Sequence, residues 1–159
     1  ITANIFSDTL TDNIELNDMG YLMALTGNSD INKFAISKFQ KQFGENGAFR
    51  LVNTEEVNDP ENNPKEGLFS HTDDFIQLMD TVRKHPTIHE IELEDKEHYD
   101  KLIDATYKER DIVPLFTKSP NGSIEIIPAN SKDFTPKGEG YKLVYLGKIL
   151  ESDEKIVDE

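Results

Sequence analysis

A continuous apolar run at residues 21–25 (YLMAL) constrains the fold of this chain more than any other feature. The run has the length of a strand but lacks the polar alternation of a strand with one wet face. Such a run is typical of a strand covered on both faces, as in a parallel sheet. Residues 26–29 (TGNS) then break the strand and place Ser29 where it can cap a helix.

The next residues predict an amphipathic helix that leads to a second strand. The apolar side of this helix holds Ile31, Phe34, Ala35, Phe39 and Phe43. Gly44 suits the end of the helix, because glycine adopts the left-handed conformation found there. The strand follows at Ala48–Val52.

Two further elements complete the N-terminal region, residues 1–53. Ile1–Phe6 is apolar and predicts a strand, and Ser7–Leu16 predicts a short helix with its cap at Ser7 or Asp8. Strand, helix, strand, helix and strand with short connections predict right-handed parallel crossovers. We therefore expect residues 1–53 to form part of a Rossmann-like domain.

The remainder of the chain has a different mixture of elements. Residues 54–67 are polar and contain two prolines, which predicts a linker. Residues 68–148 predict a small α+β subdomain, and residues 149–159 form an acidic tail. The subdomain is predicted to begin with a helix that has its cap at Thr72 and its apolar stripe at Phe75, Leu78, Met79 and Val82. A half-buried strand at 89–93 follows, and then a second helix with its stripe at Tyr99, Leu102, Ile103 and Thr106. The last predicted elements are a hairpin around 120–122 and a strand at 141–146.

The predicted fold class is thus α/β: a partial Rossmann-like parallel sheet followed by a small α+β subdomain. The longest apolar run is far short of a bilayer span, so no transmembrane helix is predicted within these residues. The formal net charge of -14 opposes phosphate backbones and anionic headgroups, so we expect no nucleic acid and no direct lipid binding. The chain has no cysteine, which excludes disulfides and thiolate zinc sites.

The histidines and carboxylates do not form a convincing catalytic or metal site. His85 and His89 are four residues apart, but Pro86 breaks any helix that would bring their rings together. The pair at 73–74 suits a helix N-terminus, and the pair Glu90 and Glu92 suits the wet face of a strand. No serine lies in a nucleophile elbow. We expect no catalytic residue, no metal and no enzyme activity.

The turn at residues 26–29 is the best candidate for ligand binding. It lies between an apolar strand and a helix start, where open α/β sheets place their ligands. Such a turn is more often a plain connection that caps a helix, and both interpretations stay open. Neither G-x-G-x-x-G nor G-x-x-x-x-G-K occurs in the sequence, so no phosphate loop is present.

Residues 3–43 resemble the C-terminal half of a TrkA-type, or RCK, nucleotide-binding domain. The stretch 25–32 (LTGNSDIN) is similar to the family's G-D-D-E-x-N loop, although Asn28 and Ser29 stand where paired acids are usual. The stretches 111–116 (DIVPLF) and 141–148 (YKLVYLGK) are similar to the cytosolic tails of NhaP-like sodium/proton antiporters.

The resemblance implies a cytoplasmic regulatory domain of a monovalent cation:proton antiporter, at the cytoplasmic face of the cell membrane and in the same polypeptide as the transmembrane domain. It implies ligand-binding positions at Thr26, Gly27, Asn28 and Asp30. No cofactor is expected, because the glycine-rich loop of the family would lie upstream, so that nucleotide binding belongs only to the full-length domain. The alternative is a free-standing soluble module that senses a ligand or binds another protein.

Two expectations concern what lies beyond the chain. It begins without Met and at a strand-like segment, so we expect the polypeptide to continue upstream of Ile1. If the strands up to 52 are parallel, one edge of their sheet lacks a neighbour, which favours a homodimer through the N-terminal half.

Overall fold

The computed structural model describes residues 4–7, 20–44, 47–69, 74–129 and 139–150. The strands are β1 (Leu22–Ala24), β2 (Ala48–Leu51), β3 (Gly67–Leu68), β4 (Ile88–Glu92), β5 (Ile112–Lys118), β6 (Ile124–Ile126) and β7 (Lys142–Gly147). The helices are α1 (Ser29–Phe43), α2 (Thr54–Val57), α3 (Phe75–Lys84) and α4 (Lys96–Lys108), with a 3-10 helix at Pro60–Asn62.

The first three strands form a parallel sheet in the order β1-β2-β3. Leu22 of β1 lies opposite Ala48, and α1 connects the two strands and packs on both. The predicted strands at 21–25 and 48–52, the helix between them and their parallel arrangement are therefore confirmed. The helix ends before Gly44, whose φ of 74° is the left-handed value that glycine adopts without strain.

The predicted strand at Ile1–Phe6 is wrong for its described part. Ile5 and Phe6 lie in a turn, because the Asn4 side chain accepts a hydrogen bond from the Phe6 N–H at 3.0 Å and the Asn4 carbonyl accepts one from Ser7. Residues 1–3 lie outside the described ranges. So does the predicted helix Ser7–Leu16 apart from Ser7.

The prediction that β1 is covered on both faces is also wrong. Ala24 is buried, whereas Tyr21, Met23 and Leu25 remain 37–40% exposed. Successive side chains of a strand point to opposite faces, so the face opposite α1 is only half covered at β1. The predicted apolar side of α1 is also less buried than expected, because Phe34 is 38% exposed. Its ring packs on that of Phe6, with 4.8 Å between the ring centroids.

The residues predicted as a linker, 54–67, contain regular structure. They hold α2, the 3-10 helix and the first residue of β3. Gly67 joins the parallel sheet through β2, and its carbonyl accepts a 2.7 Å hydrogen bond from the Ala129 N–H. The division of the chain into two domains stays a prediction.

The remaining strands form an antiparallel sheet in the order β4-β7-β5-β6. The predicted hairpin is confirmed: β5 and β6 pair on either side of the turn at 120–122. The predicted strand at 141–146 is confirmed as β7, which pairs with both β4 and β5 at the centre of the sheet. A bulge between Pro114 and Phe116 changes the register of β5 against β7.

The two faces of the antiparallel sheet pack in two different clusters. On one face, the four predicted stripe residues of α4 are all buried, and three of them join strand residues in the first cluster. On the other face, the second cluster contains Phe49, Leu51, Leu68 and Phe69 of the parallel half together with Val113, Ile126 and Leu146 of the antiparallel sheet. Phe75 and Leu78 of α3 pack against this second cluster. The parallel and antiparallel sheets therefore share apolar packing.

Gly67 lies where this packing leaves no room for a side chain. A Cβ atom there would be 2.9 Å from both the Ala129 Cβ and the Val52 Cγ1. We expect Gly67→Ala to lower the free energy of unfolding by about 1–3 kcal/mol, because the neighbouring backbone must shift. Urea denaturation measures this, with Gly20→Ala as control, since a Cβ at Gly20 meets nothing within 4 Å. Equal effects of the two substitutions would contradict the close packing at β3.

Candidate ligand site at the carboxyl end of the parallel sheet

A crevice with both polar and apolar walls lies where β1 and β2 end. Thr26 and Gly27 follow β1, and Asn53 follows β2; the beginning of α3, at 74–76, closes the crevice on the third side. The crevice has a volume of about 110 Å³. The carboxyl ends of parallel strands are where open α/β sheets bind their ligands, so the crevice occupies the expected position for a site.

The loop after β1 is fixed by one buried amide. Asn32 is 2% exposed, and its Oδ1 accepts hydrogen bonds from the Thr26 N–H at 3.1 Å and the Thr26 hydroxyl at 2.6 Å. Its Nδ2 donates to the Thr26 carbonyl at 2.8 Å. Because one side chain holds both backbone groups of Thr26, the wall of the crevice is rigid before any ligand binds.

Three helices begin around the crevice, and each has its own capping side chain. Asn28 caps α1 by accepting from the N–H groups of Asp30 and Ile31 at 2.9 and 3.2 Å. Asn53 caps α2 in a capping box with Glu56. The N–H groups of Asp30, Ile31 and Glu56 are therefore already occupied by the protein and are not open to a phosphate group.

Asp74 caps α3 and ties it to α2. One carboxylate oxygen accepts from the Gln77 N–H at 3.0 Å, and the other accepts from the Thr54 hydroxyl at 2.9 Å. The Asn53 amide in turn donates to the Ser29 hydroxyl at 3.3 Å, which links α2 to α1. Direct hydrogen bonds thus connect the three helix starts around one cavity.

A buried ion pair lies beneath α2. Arg50 of β2 is 4% exposed and forms a bidentate pair with Glu56, with N–O distances of 2.7 and 2.8 Å. Glu66 lies 3.3 Å from the Arg50 Nε. The hydrogen bonds from Arg50 hold the pKa of the Glu56 carboxyl below its ordinary value of 4.5, and those same bonds raise the pKa of Arg50. The pair fixes α2, and with it the Asn53 edge of the crevice.

Gly27 permits the close approach of α3 to the β1–α1 loop. A Cβ atom on Gly27 would lie 3.0 Å from two carbons of the Phe75 ring. Any larger residue at this position must displace that ring, and the Phe75 ring also packs against the second apolar cluster.

The structure separates the four predicted ligand-binding positions. Thr26 and Gly27 line the cavity, whereas Asn28 serves as the cap of α1 and Asp30 lies exposed in the first turn of the helix. The cap predicted at Ser29 is wrong, since Ser29 is already the first helical residue. The prediction fails because Asn28, one residue earlier, accepts hydrogen bonds from the Asp30 and Ile31 N–H groups and so starts the helix at Ser29.

The sequence patterns did not single out the other polar residues that build this site. Asn53 and Glu56 carry the N-x-x-E spacing of a capping box directly after a strand, which is a readable signal. Asn32 is a polar residue on the apolar side of an amphipathic helix, which also indicates a special role. Asp74 was assigned to a helix N-terminus, but the cap was predicted at Thr72, which lies outside the described residues; the observed cap is Asp74.

The histidine pair considered for metal binding has separate structural contacts. His85 Nε2 lies 3.9 Å from the Asp111 carboxylate. The His89 ring stacks on Tyr145 at 5.2 Å, and its Nε2 lies 3.1 Å from the Gly147 carbonyl. In the described ranges, no group of three or more His, Asp or Glu side chains is arranged to hold a metal ion.

Comparisons with models of known protein families, with curated proteins and with solved structures found no match to this chain. Within the ranges that the structure describes, no helix has both the length and the apolarity needed to cross a bilayer.

The ion pair under the crevice predicts how stability depends on pH. Because the folded pKa of Glu56 is lowered, its stabilising contribution is complete above about pH 4.5 and is lost as the pH falls through the lower folded value. We expect Glu56→Gln to lower the free energy of unfolding by about 2 kcal/mol at neutral pH and by progressively less in acid. Urea denaturation across this pH range tests the prediction.

The control is Glu55→Gln, an exposed position on the same helix. It should change stability little at any pH. A Glu56→Gln deficit that is the same at neutral and acid pH would contradict the assignment of the pH dependence to this pair.

Proposed function

We propose that this chain is a regulatory module of a monovalent cation:proton antiporter, located at the cytoplasmic face of the membrane and joined to the transmembrane domain in one polypeptide. The observation that carries the proposal is the crevice at the carboxyl end of the parallel sheet, formed where α1, α2 and α3 begin. The resemblance of residues 3–148 to the antiporter tails supplies the physiological setting, with the parallel sheet as the second half of an RCK-type Rossmann-like domain.

The crevice suits binding better than catalysis. Among the described lining residues the one carboxylate is that of Asp74, and it is held by hydrogen bonds from the Gln77 N–H and the Thr54 hydroxyl. The amides of Asn32 and Asn53 are likewise engaged in holding the loop and the helix start. A site whose polar groups already stabilise the fold can recognise a ligand, but it holds no nucleophile and base in a working geometry. We therefore propose that the module is not an enzyme.

The packing of α3 offers a route by which the crevice influences the rest of the module. Residues 74–76 of α3 line the crevice, and the same helix contacts β5 and β7. An occupant that changes the position of α3 would alter its contact with the antiparallel sheet. Regulation then follows if ligand or partner stabilises two arrangements unequally, since only differential binding can shift such an equilibrium.

A free-standing ligand-sensing or protein-interaction module is the second candidate. The exposed Ile76 and Met79 of α3 favour it, because they are three residues apart and so form neighbouring apolar side chains on one helix face that can contact another protein. The reading frame upstream of Ile1 distinguishes the two. An antiporter polypeptide requires many apolar segments of about 20 residues there, whereas a start codon immediately before Ile1 would rule it out.

The transport prediction uses Gly27, where an added methyl must displace Phe75. In everted vesicles that contain the whole antiporter polypeptide, we expect Gly27→Ala to change the sodium concentration for half-maximal exchange about 2- to 30-fold, the range of 0.5–2 kcal/mol couplings between distant sites. Gly20→Ala, in open space, should leave it unchanged. If both variants matched the wild type at equal protein amounts, the crevice would have no regulatory role.

We also propose a homodimer through the N-terminal half. Exposed Tyr21, Met23 and Leu25 along β1 support it, because a second copy can cover them. Light scattering should give the mass of a dimer. The dimer should be more stable at high salt, where the repulsion between chains of charge -14 is screened. Met23→Lys should weaken the dimer, while Ile149→Lys, an exposed isoleucine elsewhere, should not. A monomer at high concentration in both salt conditions would contradict the proposal.

A further inference from the structure

A second cavity adjoins the crevice on the other side of Asp74. It is a groove of about 490 Å³ between α2, α3 and the end of α4, which we name the α2–α3–α4 groove. The residues that give it its chemistry are Val57, Asn58, Ile76, Gln77, Tyr107 and Arg110. The groove and the crevice share Thr54, Asp74 and Ile76 as walls. Its volume is in the range of small-molecule sites, whereas the crevice alone is smaller.

Arg110 is the one cationic residue among the described residues that line the groove. Among the described residues, no carboxylate lies within ion-pairing distance of the Arg110 guanidinium. The backbone of Arg110 is nevertheless fixed, because its carbonyl accepts hydrogen bonds from the Gln77 side chain and from the Thr81 hydroxyl. The side chain thus extends from a fixed point in a chain with 31 acidic residues and 17 basic ones.

Asp74 is the one acidic residue among the described residues that line the groove, and as the cap of α3 it lies at the positive end of that helix. Both oxygens of Asp74 accept hydrogen bonds, but both donors are neutral: the Gln77 N–H and the Thr54 hydroxyl. No lysine, arginine or histidine of the described ranges forms an ion pair with this carboxylate. An ammonium group is the chemical partner that such a carboxylate lacks.

An apolar surface lies within the same groove. Ile76 is 74% exposed, the largest exposure among the bulky apolar side chains of the described residues, and Val57 is half-buried beside it in the lining. An aliphatic group placed there would remove the Ile76 side chain from water. The groove therefore combines a site for an anion, a site for a cation and a site for an alkyl group.

We propose that the α2–α3–α4 groove binds an aliphatic α-amino acid as the zwitterion. Its carboxylate pairs with the Arg110 guanidinium, whose planar fork suits carboxylates. Its ammonium group pairs with Asp74, and its side chain covers Ile76 and Val57. A purely anionic ligand would meet the negative charge of Asp74, and a purely cationic one would meet the positive charge of Arg110. Only the physiological role of this binding rests on the proposed regulatory function; the assignment of the ligand does not.

Isothermal titration of the whole chain with L-leucine as the probe tests the assignment. We expect saturable binding with a dissociation constant of about 1 mM or tighter, as suits a ligand of this size in an open groove. Leucinamide lacks the carboxylate and isocaproate lacks the ammonium group. Each is expected to bind about ten- to one-hundredfold more weakly, because each loses one charged pair.

Variants of the two charged residues locate the site. Arg110→Gln keeps the backbone carbonyl contacts, and Asp74→Asn keeps the cap of α3, since asparagine caps helices as well as aspartate does. Each should weaken leucine binding about ten- to one-hundredfold with the thermal midpoint little changed. Arg83→Gln, on α3 but outside the groove, is the matched control and should bind as the wild type does.

Three results would overturn the assignment: no heat of binding for the wild type up to about 10 mM leucine, undiminished binding by both Arg110→Gln and Asp74→Asn, or leucinamide and isocaproate binding as tightly as leucine. These measurements use the chain alone and no transport. Leucine binding without any effect of Gly27→Ala on exchange would therefore refute the regulatory role of the crevice and leave the ligand assignment standing. An effect on exchange without leucine binding would do the reverse.

Discussion

The packing of the parallel half against the antiparallel sheet is the interaction on which the rest of the structure depends. Phe49, Leu51 and Leu68 provide one side of the second cluster, and Val113 and Leu146 provide the other. Each small sheet would otherwise expose an apolar face, and a sheet of three short strands with one helix cannot bury enough surface by itself. The predicted linker contributes directly, because it leads the chain into Gly67 and Leu68, where the parallel sheet contacts residue 129 through a backbone hydrogen bond.

Both candidate sites follow from where this cluster places α3. Phe75 and Leu78 pack against the cluster, so the first turn of α3 is held beside the ends of β1 and β2. Asp74, directly before that turn, then forms a wall common to the crevice and to the α2–α3–α4 groove. The buried pair of Arg50 and Glu56 holds α2 on the opposite side. Neither cavity can change shape without some change at an apolar contact or an ion pair, and this gives a bound ligand a physical connection to both sheets.

The sequence predicted the elements well where a periodic pattern reports burial directly. The stripe from Tyr99 to Thr106 is buried as predicted, and the strands at 48–52 and 141–146 lie where their apolar runs indicated. Local patterns failed where a single side chain decides the backbone, as Asn4 does in turning residues 4–7 away from an extended strand. Of the four predicted ligand positions, only Thr26 and Gly27 line the crevice; apart from Ser29 and Asn32, its other walls come from residues 25 to 50 positions further along the chain than Thr26. The pairing of β1 with β2 and the packing of α3 bring those walls together, and no local pattern encodes either.

Native-state hydrogen exchange is the most direct test of the claim that the two sheets form one cooperative unit through the second cluster. Val113 of β5 is fully buried in this cluster, and truncating it to alanine removes contacts with the parallel half. If the claim is right, the slowest amides of β2 and β7 exchange with the same opening free energy in the wild type, and Val113→Ala lowers both by the same amount. A variant in which the amides of β7 exchange faster while those of β2 are unchanged would show that the two sheets open independently, and would contradict the account.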